Sequence, residues 1–231
     1  MLKFQFPFSV VNLNKDSSIL LDACFLLALQ DEKHNLNEKC IEISNLLIDK
    51  KCKLYVSNVV LAEVLNKIIQ RLFISDIGYR FTTDILNSQE NINKIITYFY
   101  PNEQKVILTA TEEKFNKYKF MNHFDYIIKE TEDIELLRVY FQEAIFLLED
   151  LEQNLKLNCL PINANMVLTA KQFYKNFMMG INDAQHLSVA LVHRLDYILT
   201  LDGDFEKIPV DKVKILKVEK SEIIESTGTE D

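Results

Sequence analysis

Residues 181–205 read INDAQHLSVALVHRLDYILTLDGDF, and two periodicities follow one another along them. Ala184, Leu187, Val189, Ala190 and Leu191 make a broad apolar helical stripe, with Asp183 in the first turn. Tyr197, Ile198, Leu199 and Thr200 then form a nearly all-apolar run. Such a run marks a strand covered on both faces in a parallel sheet. It leads straight into Leu201, Asp202, Gly203, Asp204 and Phe205. Acids therefore fall at the start of a helix and at the carboxyl end of a strand, where open α/β sheets bind ligands. Carboxylates gathered in one place raise each other's pKa unless a cation sits between them. Hard oxygen donors of this kind select Mg²⁺ or Mn²⁺. Taken alone, the stretch is explained equally well by a capped helix and a polar turn.

Two earlier segments repeat the pattern. Ser18, Ile19, Leu20 and Leu21 form a short apolar strand ending at Asp22, with a helix starting at Ala23. An Asp there suits the positive end of a helix dipole, and N-capping is its ordinary role. Residues 37–47 follow as an amphipathic helix with Cys40, Ile43, Ser44 and Leu47 on one face. Lys50, Lys51 and Lys53 lead into the strand Leu54, Tyr55, Val56. Ser57 and Asn58 close that strand and cap a helix in which Glu63 lies among Val59, Val60, Val64 and Leu65. A helical Glu is usually a surface charge. Three strand–helix units, each with an acid near the junction, form a constellation that single explanations do not cover.

The middle is less readable. Residues 73–110 hold Ile/Asn-rich helical pieces and a strand-like run at Val106, Ile107 and Leu108. Residues 131–157 read as one long helix with Ile134, Leu137, Phe141, Ile145, Leu148, Leu151 and Leu155 spaced by three and four. A strand is expected within 157–162 and a helix from Asn163 to Phe177, ended by Gly180. A last strand is expected at 213–218. This order gives a parallel α/β sheet with an inserted helical region.

Composition agrees. With 231 residues, 48% hydrophobic, and only 4 Gly and 4 Pro, a helix-rich chain with ample core is favoured. No run nears the roughly 18 apolar residues of a membrane span, and the first residues lack a signal-peptide pattern. Cys24, Cys40, Cys52 and Cys159 show no CxxC spacing and read as buried free thiols in a reducing cytoplasm. The net charge of −8 argues at first against a nucleic-acid partner. That acidity is local: residues 111–155 carry 11 acids against 5 bases and residues 219–231 carry 5 against 1, leaving the remainder slightly basic.

Together the segments ILLDACFL, YVSNVVLAEVL, NDAQHLSVAL and ILTLDGDF resemble the PIN-domain nucleases, most closely the VapC-like toxin ribonucleases. They stand in the family's order and cover roughly residues 17–72 and 157–218. The resemblance implies a PIN-like α/β/α sandwich with a central parallel sheet of four to five strands. It implies one domain over 1–218 with a helical insertion at about 73–156, followed by an acidic mobile tail at 219–231. Position by position, the family's acidic quartet falls on Asp22, Glu63, Asp183 and Asp202, which would bind Mg²⁺ or Mn²⁺ and catalyse phosphodiester hydrolysis. Asp204 is a fifth acid near them. Ser57 and Thr200 match positions that support the acids by hydrogen bonds, and Asn182 beside Asp183 is placed with them. His186, one helical turn after Asp183, reads as a partly buried polar residue and stays outside the catalytic set.

The implied function is a cytoplasmic, toxin-like, metal-dependent endoribonuclease. Its implied partners are an RNA substrate, a cognate antitoxin and a second copy of the chain. Two alternatives stand beside it: a catalytically silent PIN-fold binding or scaffold protein, and a DNA-directed nuclease. The region between Arg71 and Lys156 departs from compact members of the family by its length and acidity, which would repel a phosphate backbone or attract a basic partner.

Overall fold

The apolar runs at 18–21, 54–56, 197–200 and 213–218 form strands, and the strands of the described residues share one direction. They are β1 (Lys3–Gln5), β2 (Ser18–Leu21), β3 (Lys53–Ser57), β4 (Asn158–Leu160), β5 (Tyr197–Thr200) and β6 (Lys214–Lys217). In the computed structural model they form one sheet of order β1-β6-β5-β2-β3-β4, with every neighbouring pair parallel. The structure describes residues 2–82, 134–203, 205 and 213–219, with short pieces at 101–102, 104–105 and 128–129. Six strands stand where four to five were expected. The additional one is β1, whose Lys3, Phe4 and Gln5 pair with Ile215, Leu216 and Lys217 at an edge. Three residues alternating between exposed and half-buried make too short a pattern to stand out.

The helices are α1 (Ala23–Gln30), α2 (Asn37–Asp49), α3 (Asn58–Thr82), α4 (Ile134–Leu155), α5 (Ala164–Phe177) and α6 (Ile181–Val192). Two compact units divide the chain: Met1–Glu63 with Glu152–Asp231, and Val64–Leu151. The first unit holds the whole sheet. Its core joins Leu20, Ile198 and Ile215 of the strands to Met166, Ala170, Ala184 and Leu187 of α5 and α6. Burying each larger aliphatic side chain stabilises the fold by about 1.5–3 kcal/mol. In the second unit, Phe73 meets Tyr140 edge to face at 5.5 Å, and the Tyr140 hydroxyl donates to Asp76. Among the described residues no helix is long and apolar enough to cross a membrane.

Two expectations shift. The buried stripe of α4 is Leu137, Tyr140, Ala144, Leu148, Leu151 and Leu155, whereas Ile145 is 45% exposed. Its helical phase follows 3.6 residues per turn, which a chain of apolar residues picked at threes and fours can miss by one step. Gly180 does not terminate α5. That helix ends in a left-handed Met178, whose amide bonds the Tyr174 carbonyl, and Gly180 is the N-cap of α6. The strand-like run at 106–108 lies outside the described residues, as does the tail from 220 onward.

One buried polar residue joins α1 to α2. Asn37 Nδ2 donates to the carbonyl oxygens of Ala28 and Leu29, 2.9 Å each. These belong to the last turn of α1, whose carbonyls have no partner within the helix. Replacing Asn37 by Ala leaves them buried without a donor and should lower stability by about 1–3 kcal/mol, read as a drop in the urea midpoint. An unchanged midpoint would show that solvent satisfies them instead.

Candidate active site

The chain runs from β2 through β3 to β4 on one side of the sheet and places β5 and β6 on the other side of β2. The direction of winding reverses between β2 and β5, and open sheets bind ligands beyond the carboxyl ends of strands at such a point. Leu21 pairs with Leu199, so the next residues out, Asp22 and Thr200, stand side by side. The Asp22 amide still donates to the Leu199 carbonyl at 3.1 Å.

Asp22 is also the N-cap of α1. Its Oδ1 accepts the Ala23 amide at 2.7 Å. Its Oδ2 accepts the Thr200 hydroxyl at 2.6 Å and the Cys24 thiol at 2.8 Å. Capping and site membership are therefore one role. Thr200 is fully buried and its oxygen in turn accepts the Asp202 amide at 2.9 Å. Thr200 thus ties the end of β2 to the turn that carries Asp202.

Asp22, Glu63, Asp183 and Asp202 come from the β2–α1 junction, α3, α6 and the turn after β5, and all four line one cleft of about 450 Å³. Asn182 Nδ2 donates to Glu63 Oε2 at 3.2 Å, so it supports Glu63 and not the adjacent Asp183. Ser57 lines the cleft but its Oγ accepts the Val60 amide at 3.2 Å. Ser57 thus caps α3 and fixes the start of the helix that carries Glu63. Asn58 Oδ1 accepts the Ile162 amide at 3.0 Å and joins that same helix start to the segment after β4. Asp204 lies outside the described residues.

Three cleft residues outside the predicted set bear on the acids or sit beside them. Cys24, read as a bland buried thiol, is held protonated by burial and by the neighbouring Asp22 charge, which raise its pKa far above the thiol range. It therefore donates to Asp22. Its position two residues after a strand-ending Asp was the available signal. Gly180 lets Asp183 approach closely: a Cβ there would stand 2.7 Å from Asp183 Oδ2. His186 lies on α6 only 3% exposed, its ring edge-on to Phe205 with centroids 6.0 Å apart. Neither of its ring nitrogens has a hydrogen-bond partner among the described residues.

Of the described residues that line the cleft, none is Lys or Arg. Four carboxylates in a concave surface concentrate negative potential there. Among the described residues no three His, Cys, Asp or Glu side chains are gathered closely enough to enclose an ion by themselves. A hydrated hard cation still fits, because Mg²⁺ keeps several waters and is commonly held through one or two carboxylates.

Burial lowers the His186 pKa below its ordinary 6.5, with the Asp22 charge opposing. The unfolded chain then takes up the proton first. The stability tied to neutral His186 is complete above pH 6.5 and is lost as pH falls below it toward the folded value. In EDTA, urea unfolding between about pH 7 and about pH 5 should show the parent losing stability faster than His186→Phe. Parallel curves would contradict a buried neutral imidazole.

A family model for the PIN domain matches residues 19–211, and no match was found among curated proteins. PIN domains are typically nucleases and generally depend on divalent metal ions. The matched stretch begins inside β2, runs past β5 and takes in all four cleft acids. With more than half its length matched, and with the parallel sheet, the switch point and the acidic cleft in place, the chain belongs to the PIN domain family.

Proposed function

We propose that this chain is a metal-dependent endoribonuclease that hydrolyses RNA phosphodiester bonds in the manner of a type II toxin. The convergence of Asp22, Glu63, Asp183 and Asp202 from four elements onto one cleft carries this reading. Asp22, Asp183 and Asp202 would hold Mg²⁺ or Mn²⁺, directly or through water. When bound, such an ion lowers the pKa of water and offsets the charge that builds on the phosphodiester. Glu63 would help hold a second ion or orient the attacking water, and Asn182 donates to its carboxylate and limits its rotation. Thr200 holds Asp22 and the Asp202 backbone together, so the two acids keep their places when no cation is between them. Asp204, the fifth acid of the sequence, would supply a further oxygen donor.

The acid excess of residues 111–155 supports a basic protein partner of antitoxin type. Exposed Val139, Ile145 and Phe146 on α4 support self-association. A second reading, a PIN fold that binds without cutting, is favoured by one observation: among the described residues no three His, Cys, Asp or Glu side chains are gathered closely enough to form a complete ligand set.

Two predictions separate these readings. With labelled single-stranded RNA, structured RNA and DNA, the parent should cut RNA in Mg²⁺ or Mn²⁺ and not in EDTA. Asp22→Asn and Asp183→Asn should stay folded and cut nothing. Cleavage retained by both variants would remove the proposed roles of these acids, and a folded parent that cuts nothing would support the silent reading. Gly180→Ala should leave stability within about 1 kcal/mol, because the clash falls on the far end of a side chain and the backbone is ordinary there. The displaced Asp183 should nevertheless weaken Mn²⁺ binding by about tenfold. Unchanged affinity in Gly180→Ala would show that Asp183 does not hold the ion.

A further inference from the structure

The turn after β5 offers two consecutive amides, and each is the first link of a relay to the same oxygen. The Asp202 amide donates to Thr200 Oγ1 at 2.9 Å, and that hydroxyl donates to Asp22 Oδ2 at 2.6 Å. The Leu201 amide donates to Cys24 Sγ at 3.1 Å, and that thiol donates to Asp22 Oδ2 at 2.8 Å. Sulfur and hydroxyl oxygen lie 3.3 Å apart, so the two relays run alongside each other. We propose that Cys24 is a positioning residue, a second arm beside Thr200 that fixes the Asp22 carboxylate to the backbone bearing Asp202. This proposal rests on the reading of the cleft as a metal-dependent nuclease centre.

Without the thiol, Oδ2 would keep the Thr200 hydroxyl as its one donor, beside the Ala23 amide on Oδ1. Two donors on Oδ2 and the Ala23 amide on Oδ1 define its plane. The thiol also accounts for the Leu201 amide, which no strand partner takes beyond the end of β5. Sulfur is a weak donor and a weak acceptor, so this arm is the softer of the two. Partners that hold ligating carboxylates in this way typically change metal affinity by about 10–100-fold when removed, and the weaker arm belongs at the lower end.

Cys24→Ser keeps a donor and an acceptor, while Cys24→Ala removes both. Cys24→Val, which keeps the volume, takes the place of Cys24→Ala if the smaller side chain unfolds the protein. Two readouts are compared across these variants and the parent. In metal-free protein the Leu201 amide should exchange with solvent about tenfold faster in Cys24→Ala and stay protected in Cys24→Ser. Mn²⁺ affinity, from the electron paramagnetic resonance signal of free Mn²⁺, should fall about tenfold in Cys24→Ala and stay within about threefold of the parent in Cys24→Ser. Parent-like behaviour of Cys24→Ala in both readouts overturns the proposal. Equal damage in Cys24→Ser overturns it too, because the size of sulfur and not its hydrogen bonds would then matter. A parent that binds no Mn²⁺ removes the metal reading alone, and the exchange of Leu201 still decides whether Cys24 positions the turn.

Discussion

Like-charge repulsion at the mouth of the sheet is the constraint on which the rest of this structure depends. Two unit charges 4 Å apart in surroundings of effective dielectric 20 interact by about 4 kcal/mol. A single hydrogen bond to a charged group contributes only about 1.5–3 kcal/mol net. One donor per carboxylate would therefore be too little to hold acids together around an ion. Asp22 has three donors, from the Ala23 amide, the Thr200 hydroxyl and the Cys24 thiol. Together they hold the carboxylate more firmly than any one of them could.

The fold supplies those donors through its topology. Parallel pairing of β2 with β5 sets Asp22 beside Thr200, and the all-buried β5 gives the hydroxyl no competing water. The helix that Asp22 caps adds its dipole at the same point. On the other side of the cleft, Ser57 caps α3 and Asn182 holds Glu63, so the second pair of acids depends on helix starts and not on the sheet. Gly180 lets Asp183 pack where any side chain would displace it. The site is thus anchored twice, once in the sheet and once at two helix N-termini.

Much of this was legible in the residues. The apolar runs that become β2, β3 and β5, and the acids that follow them, carry strong local patterns. Other features depend on partners far away in the chain. β1 exists because β6, more than two hundred residues later, offers an edge. Ser57 and Asn182 have the right chemistry to support an acid, but which group each one meets is decided by three-dimensional placement. Cys24 and His186 were read as bland because a thiol and an imidazole look the same in a sequence whether they face a core or a cleft. Only the fold shows the thiol between Asp22 and Leu201 and the imidazole with both nitrogens unmatched among the described residues.

The cleft as a cation site can be tested most directly by titrating Mn²⁺ into isotope-labelled protein and following paramagnetic broadening of the backbone amides. Broadening that begins at residues 22–24, 63, 182–186 and 201–203 and spreads outward from them is the expected result. Broadening centred on the acid-rich residues 111–155 or 219–231, or none at Mn²⁺ concentrations that saturate ordinary nuclease sites, would contradict a metal centre at the junction of β2 and β5.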